Sequence, residues 1–354
     1  MSCLHPLKGF RIGTKKSGKP DYLIVSYDVE YIVVKKYRNN KKNYVCVNTS
    51  LNEYIPVDTD VGIITDFIEI PCGKCISCRR RYAALWTDRL MLELQDHKES
   101  CFITLTYDDD HICCVDSPIE ENVSMYTLNK VHLQCFWKRL RQYLVRHVEP
   151  EKRIRYFACG EYGDTTFRPH YHAILFGWRP TDLIQFKKNF QNDTLYLSKS
   201  LASIWQNGNV MVGDVTPESC RYVARYCLKK ATGFDSEIYE RLGVLPEFVT
   251  MSRKPGIARK YFDDHYDEII KYKTINLSTL KGGMSMQIPP YFIRLIEDID
   301  SELFKEIKRS NKQAALNHQE ALMKNTDVDY ITYLSFLEGI LVREEKFYRR
   351  DRIV

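Results

Sequence analysis

Short strand-forming runs alternate with amphipathic helical patterns along this chain, and this alternation constrains the fold more than any other feature. Residues 102–107, 154–159 and 170–176 are rich in β-branched and aromatic residues, which predicts three strands. Between the first two, apolar residues recur at three- and four-residue steps, which predicts a helix from a Thr127 cap to about residue 147. Strands interleaved with helices in this way predict an α+β fold.

The two ends of the chain differ in pattern from its middle. Residues 1–71 hold several short runs dense in strand formers, so this region is predicted to be β-rich. Glycines and prolines within residues 275–290 indicate a linker, and the remainder is predicted to be mostly charged helix. We therefore predict a β-rich region over 1–71, a central domain over 72–272, and a linker with a charged helical region over 273–354.

Composition excludes some classes of protein but names no partner. The 354 residues are 44% apolar, which is enough for a sizeable core and excludes disorder as the main state. The 52 Lys and Arg exceed the 46 Asp and Glu by six, and this mild charge permits nucleic-acid binding without requiring it. No stretch approaches the roughly 18 apolar residues of a membrane helix, and residues 1–11 do not form a signal peptide. These features predict a soluble intracellular protein whose 12 cysteines are reduced or bind metal.

The sharpest chemical signal is the triplet His170-Tyr171-His172. Residues two apart in a strand point to the same face, so both imidazoles would converge on one site while Tyr171 turns to the opposite face. Imidazole suits several divalent metals, and two histidines leave room for a carboxylate and for water or substrate. Glu161, at or just past the end of the preceding predicted strand, could supply that carboxylate. The alternative is a pair of histidines at a polar sheet surface that binds no metal.

A second signal is a pair of tyrosines, Tyr222 and Tyr226, in one predicted helix. Thr216 as the N-cap and Pro217 at the first helical position predict a helix that runs to about residue 230. Tyrosines four apart share one helix face, so their hydroxyls could serve one site in turn. A phenol with a pKa of about 10 is a poor nucleophile unless metal-bound phosphate, a base or positive charge assists it, and Lys229 is well placed for that. The alternative is that tyrosines at this spacing simply pack the core.

The third signal is the run Cys72-Gly-Lys-Cys75-Ile-Ser-Cys78. Three cysteines at this spacing form a knuckle that lacks one ligand of a tetrahedral zinc site. The fourth ligand could be Cys3 or His5, both near the start of the chain. A structural Zn²⁺ is favoured over a redox function, and plain reduced thiols are the remaining alternative.

Basic residues cluster after the cysteine run, around the two tyrosines and near Pro255. Such clusters with interleaved aromatic residues are typical of phosphate contact and base stacking on single strands, although charge runs are often only solvated faces. The candidates for DNA contact are Arg221, Arg225, Lys230, Arg253 and Lys254.

In their order along the chain, these pieces resemble the three motifs of HUH-type rolling-circle replication initiators. The motifs are the run 102–107, then Glu161 ahead of the histidine triplet, then Tyr222-Val-Ala-Arg-Tyr226. The similarity extends to the initiators of gokushovirus-like microviruses, which are small phages with circular single-stranded DNA. It is carried there by residues 72–79, by Cys159-Gly-Glu-Tyr-Gly163 and by residues 248–256, and it spans about residues 70–265.

The resemblance implies a central antiparallel sheet of about five strands flanked by helices, as in HUH endonucleases. It also implies that His170, His172 and Glu161 hold Mg²⁺ or Mn²⁺, and that Tyr222 and Tyr226 are nucleophiles, which Lys229 or Lys230 would assist. Residues 72–272 would form the endonuclease domain.

The function implied is nicking of a circular phage DNA at its origin, through a 5′-phosphotyrosyl intermediate, followed by religation of the displaced strand. Single-stranded and origin DNA would be the substrates, and a host polymerase and helicase the partners, in the cytoplasm of a bacterial host. Two alternatives stay open: a zinc-containing protein that binds single-stranded nucleic acid without catalysis, and a related HUH transposase or relaxase.

Overall fold

The computed structural model describes residues 3–36, 42–48, 61–119, 122–163, 165–189, 192–226, 234–279 and 282–350. The chain divides into two compact units. One comprises Met1–Arg81 with Leu316–Val354, and the other comprises Tyr82–Ala315.

Strands and helices alternate along the chain, and both are numbered in chain order. The strands are β1 (Leu7–Thr14), β2 (Pro20–Ser26), β3 (Tyr31–Lys36), β4 (Lys42–Val47), β5 (Val61–Ile64), β6 (Phe67–Ile70), β7 (Ser100–Thr106), β8 (Cys114–Asp116), β9 (Ser124–Tyr126), β10 (Arg155–Tyr162), β11 (Pro169–Phe176), β12 (Leu183–Lys188), β13 (Thr194–Ser198), β14 (Val210–Gly213), β15 (Phe248–Met251), β16 (Thr274–Thr279) and β17 (Gly282–Gln287). The helices are α1 (Ile76–Gln95), α2 (Lys130–His147), α3 (Lys199–Trp205), α4 (Pro217–Tyr226), α5 (Phe234–Leu242), α6 (Arg259–Asp264), α7 (Tyr266–Tyr272), α8 (Pro290–Ile299), α9 (Ser301–Met323) and α10 (Tyr330–Arg350).

The first unit contains two small antiparallel sheets, which confirms the predicted β-rich start of the chain. One sheet has the order β2-β1-β6, and the other has the order β4-β3-β5. Phe10 and Ile32, one from each sheet, are fully buried. The unit also contains α10 from the other end of the sequence.

The second unit is organised around a seven-stranded sheet in the order β12-β13-β14-β7-β11-β10-β15. Every neighbouring pair in it is antiparallel. Alternate residues of β11 enter two different hydrophobic clusters: Tyr171 belongs to the one that contains α2, and Ile174 belongs to the one that contains α4. Helices therefore cover both faces of the sheet, because each face presents apolar side chains that must be removed from water.

The α+β class and the antiparallel sheet flanked by helices are confirmed, and the sheet has seven strands where about five were expected. The strands that the sequence pattern did not indicate are β12, β13 and β15. In β12 only Leu183 is even half-buried, so this edge strand lacks the apolar density that marks a strand in sequence. β15 has only four residues, which is too short for a periodic signal.

Two predictions about local structure are wrong. The N-cap of α2 is Asn129, whose Oδ1 accepts hydrogen bonds from the Val131 and His132 amides, whereas Thr127 is buried and its hydroxyl donates to the Leu128 carbonyl. The predicted linker over 275–290 contains the β16–β17 hairpin. The hairpin forms because Ile275 and other apolar residues bury one of its faces, while the glycines that suggested a linker begin β17.

Candidate active site

The antiparallel pairing of β10 with β11 brings a carboxylate opposite the two histidines. Glu161 on β10 pairs directly with His170 on β11, and Cys159 pairs with His172. Because successive residues of a strand alternate between faces, His170, His172 and Glu161 all point to the α4 side of the sheet. The side chains of Glu161 and His172 are 3% and 7% exposed, and that of His170 is 19% exposed.

The three side chains converge on one carboxylate oxygen. Glu161 Oε1 lies 2.6 Å from His170 Nε2 and 2.8 Å from His172 Nε2. His170 Nδ1–H donates to the Arg168 carbonyl at 3.1 Å, which directs its Nε2 towards the carboxylate. One nitrogen from each histidine and one oxygen of Glu161 lie within 4.8 Å of one another, and this set of donors suits a divalent cation.

The electrostatics of Glu161 favour the charged carboxylate. Burial by itself raises the pKa of this group, but hydrogen bonds from His170 and His172 outweigh burial and hold the pKa below its ordinary value. An ionised carboxylate between two imidazoles attracts a cation, so the charge state of the cluster as well as its geometry fits a metal site.

Thr104 on β7 is a functional candidate that sequence reasoning missed. β7 pairs with β11 so that Thr104 faces His172, and the two side chains approach at 3.0 Å between Oγ1 and Nδ1. With Nε2 of His172 turned to the carboxylate, Nδ1–H can donate to this hydroxyl and fix the ring. The signal in the sequence is a buried threonine between the apolar Ile103 and Leu105, but only the strand register shows which residue it faces.

Tyr222 reaches this cluster from α4, which packs on β10 and β11. Its hydroxyl lies 3.3 Å from His172 Nε2 and 3.5 Å from Glu161 Oε1. Its ring meets the imidazole of His172 edge to face, with centroids 5.0 Å apart, and Phe102 stacks on the same imidazole. The structure therefore brings the first predicted nucleophile to the predicted metal ligands.

Local sequence explains why α4 begins where it does. Thr216 Oγ1 accepts a hydrogen bond from the Ser219 amide at 3.1 Å, and Ser219 Oγ accepts one from the Thr216 amide at 2.8 Å. This reciprocal cap confirms the predicted start of the helix, with Pro217 as its first residue. Tyr226 is the last residue of α4, and its side chain lies outside the described residues, as do Lys229 and Lys230.

Tyr171 lies on the opposite face of β11, as predicted. Its hydroxyl donates to the Asn129 carbonyl at 2.9 Å, accepts from the Asn129 amide at 2.8 Å, and lies 2.9 Å from the Tyr107 hydroxyl. Burial raises the pKa of Tyr171 to about 12, so this phenol stays protonated. Adjacent residues of one strand thus have different roles, since Tyr171 supports the fold and the two histidines form the site.

The motif segments 159–163 and 248–256 are neighbours in the sheet, because β15 pairs with β10 on the side away from β11. A Cβ at Gly160 would lie 3.0 Å from atoms of Leu128 and of Phe248, so the residue next to Glu161 has to be small. Glu247 Oε1 accepts a hydrogen bond from the Tyr162 amide at 3.2 Å. These contacts hold the strand that carries Glu161.

The predicted DNA-binding residues fall into two groups. Arg221 and Arg225 are exposed on α4, on either side of Tyr222 in sequence. Arg253 and Lys254 are also exposed, but they follow Met251, which pairs with Phe157 near the end of β10 away from Glu161. Four residues of strand separate Phe157 from Glu161, or roughly 13 Å, so this basic pair lies away from the histidine site. Lys230 lies outside the described residues.

The cysteines of the knuckle form a separate cluster within the first unit. Cys3, Cys72, Cys75 and Cys78 each offer a sulfur, and these sulfurs lie within 4.8 Å of one another. His5 does not join them, because its imidazole pairs with Glu338 at 2.9 Å. Within the described part of the chain, this cluster and the Glu161 cluster are the groups of three or more side chains arranged to hold a metal.

Comparison with known proteins gives consistent matches to phage replication proteins. The family model for the replication-associated protein ORF2 matches residues 100–231, which contain both histidines, Glu161 and both tyrosines. A replication-associated protein ORF2 of Spiroplasma virus 4 is 30% identical over 348 residues, which cover 94% of this chain and 93% of that protein.

Two further relatives match over shorter lengths. The replication-associated protein ORF4 of Chlamydia phage 1 is 31% identical over 280 residues, or 77% of this chain and 64% of the relative. The replication-associated protein VP4 of Bdellovibrio phage phiMH2K is 30% identical over 224 residues, or 63% of this chain and 65% of the relative. No solved structure matches the chain significantly. Among the helices described, none has both the length and the apolar character needed to cross a membrane.

Proposed function

We propose that this chain, which belongs to the replication-associated proteins of microviruses, initiates rolling-circle replication by nicking the origin of a circular phage DNA. Tyr222 would attack the scissile phosphate and remain joined to the 5′ end. The observation that carries the proposal is the position of the Tyr222 hydroxyl, within 3.5 Å of both Glu161 and His172.

A divalent cation, Mg²⁺ or Mn²⁺, fits the donors of this site. His170 and His172 would supply one nitrogen each and Glu161 one oxygen, and two histidines with one carboxylate leave positions for water or substrate. When bound, the cation would neutralise charge on the scissile phosphate. Contacts to Thr104 and to the Arg168 carbonyl would hold the two imidazoles in place.

The chemical step would be an in-line displacement at phosphorus. The Tyr222 oxygen forms a bond to phosphorus and loses its proton, while the bond from phosphorus to the 3′ oxygen breaks and that oxygen leaves as a 3′-OH after gaining a proton. Glu161 and His172 lie beside the phenol and would orient it for attack. Because the phosphodiester is stored in the covalent link, the later resealing needs no ATP.

Tyr226 would be the second nucleophile, which cuts the regenerated origin after one round of synthesis. It stands one helical turn from Tyr222 at the end of α4, which is the spacing of side chains on one helix face. Lys229 or Lys230 would stabilise charge on the phenolate or the phosphate. The 3′-OH would prime a host polymerase with the help of a host helicase, which requires the protein to act in the bacterial cytoplasm.

The test is covalent capture of DNA. The purified chain is incubated with Mn²⁺ and labelled single-stranded oligonucleotides tiled across the phage origin region, and adducts are resolved on denaturing gels. We expect an adduct with the wild type, none with the Tyr222→Phe/Tyr226→Phe double variant, and unchanged DNA binding by both. Tyr272→Phe is the matched control, because Tyr272 is exposed on α7 away from the cluster.

An adduct that persists in the double variant would refute the assignment of the tyrosines. If the wild type binds the oligonucleotides but forms no adduct with any of them, a nucleic-acid binding protein without catalysis is the better description.

A further inference from the structure

We propose that Cys3, Cys72, Cys75 and Cys78 bind one Zn²⁺ in a closed site of four thiolates that joins the start of the chain to the N-terminus of α1. This site is separate from the proposed nicking chemistry and does not depend on it. Its role would be structural, since all four positions around the metal are taken by protein.

The spacing of the sulfurs matches a single tetrahedral ion. A Zn–S bond of about 2.3 Å places the sulfurs of a tetrahedron about 3.8 Å apart. All four Sγ atoms lie within 4.8 Å of one another, and those of Cys3 and Cys75 are 4.0 Å apart. Small shifts of the side chains would complete the tetrahedron.

Backbone amides point at these sulfurs, as expected around thiolates. Cysteine sulfur is a weak acceptor as a thiol, and a negative charge makes it a much better one. Gly73, with a φ of +73°, makes the turn that directs the amides inward. The amide-to-sulfur contacts run from Leu4 to Cys75 at 3.4 Å, from Cys72 to Cys3 at 3.2 Å, from Lys74 to Cys72 at 3.4 Å, from Cys75 to Cys72 at 3.3 Å and from Cys78 to Cys75 at 3.4 Å.

The surrounding charge also fits a metal with four thiolates, which carries a net charge of −2. The helix α1 begins at Ile76, directly after Cys75, so the positive end of its dipole lies at the cluster. Three consecutive arginines, residues 79–81, follow Cys78. Positive charge at this position would offset the negative charge of the bound site.

Other uses of four cysteines fit less well. A disulfide needs sulfurs about 2.05 Å apart, far closer than the 4.0 Å between Cys3 and Cys75. An iron–sulfur cluster distributes its cysteines over two or more irons, which spreads the sulfurs more widely than a single ion does. Simple packing would leave a very small core, since the buried residues of this cluster are the three cysteines Cys3, Cys75 and Cys78 with Leu4 and Ile76.

The site would close a long loop. Cys3 and Cys72 are 69 positions apart, and the strands β1 to β6 lie between them. A cross-link of this span removes more freedom from the unfolded chain than a short one does, so a metal that binds only the folded form stabilises the whole first unit.

The experiment measures metal in the full-length protein by mass spectrometry. To keep zinc out of the other cluster, it uses the His170→Ala/His172→Ala variant, purified under reducing conditions. We expect one zinc per chain, and we expect Co²⁺ substitution to produce the absorption bands of tetrahedral cobalt bound to thiolates. Adding Cys3→Ser or Cys78→Ser should remove the zinc and these bands.

Matched controls test the assignment of the fourth ligand. Cys46→Ser removes an exposed cysteine of β4 in the same unit, and His5→Ala removes the other candidate ligand; both should keep the full zinc content. If a Cys→Ser variant fails to fold, the parent protein still decides the question. Absence of zinc from the folded parent, iron in its place, or loss of zinc in His5→Ala would overturn the proposal.

Discussion

The histidine cluster and the cysteine cluster differ in the number and the chemistry of their ligand atoms. The first offers two imidazole nitrogens and one carboxylate oxygen, with the Tyr222 hydroxyl beside them, and the second offers four sulfurs. Nitrogen and oxygen donors suit hard or borderline cations, whereas thiolates select soft ones. Three ligands leave room for a phosphate, and four do not. The comparison teaches that one chain can separate a reactive site from a structural one by ligand count and ligand type.

The two clusters are also built differently from the backbone. Glu161, His170 and His172 stand on paired strands, where the register of β10 and β11 sets their spacing. The cysteines stand on a turn, on the start of α1 and on a segment near the beginning of the chain. A paired sheet holds side chains in place without metal, but a turn and a chain end gain much of their order from the ion itself.

The largest effect expected is the response of the two sites to a chelator. Dialysis against EDTA should reduce nicking to background, because three ligands with an exposed edge release their cation readily. Mn²⁺ or Mg²⁺ should restore it, while zinc content, followed by mass spectrometry, stays constant. Nicking that survives complete removal of divalent metals would break the comparison.

Next in size is His172→Ala. A bound cation contributes several kcal/mol to stabilising phosphoryl transfer, so losing this ligand should lower the nicking rate about 10²- to 10³-fold. The zinc content of the cysteine cluster should not change. An unaltered single-turnover rate at low Mn²⁺ would show that His172 is not a ligand.

A smaller effect is expected for Thr104→Val, which removes the hydroxyl beside His172 Nδ1 but keeps the side-chain shape. Loss of such a supporting contact lowers metal affinity or activity about 10- to 100-fold, so the Mn²⁺ concentration needed for half-maximal nicking should rise. Thr106→Val is the matched control, because Thr106 faces His170 in the register but bonds the Asn209 carbonyl. Equal effects from the two variants would contradict the role given to Thr104.

The smallest effect on catalysis is expected on the other face of β11. Tyr171→Phe deprives the Asn129 amide and the Tyr107 hydroxyl of a partner, which should cost about 1–3 kcal/mol in the free energy of unfolding. Urea denaturation measures this loss, and Tyr272→Phe should show almost none. Nicking per folded molecule should stay near the wild-type rate, and a large fall would mean that the two faces are coupled.

Sequence reasoning succeeded where the signal is local. The alternation of side chains along a strand predicted that Tyr171 would turn away from the two histidines, and the Thr216 cap predicted the start of α4. It failed where a local signal was absent or ambiguous. Asn129 rather than Thr127 caps α2, and the β16–β17 hairpin occupies the predicted linker, because burial against distant residues decided both.

The sequence by itself determined the composition of the two clusters, since residue type and short spacing are written in the chain. Only the tertiary structure decided that Cys3 rather than His5 stands beside the cysteine run, and that Thr104 faces His172. It also decided that Glu161 and Tyr222, which are 61 positions apart, approach one another. The physical reason is that these contacts depend on strand register and helix packing, which come from burying apolar surface across the whole molecule.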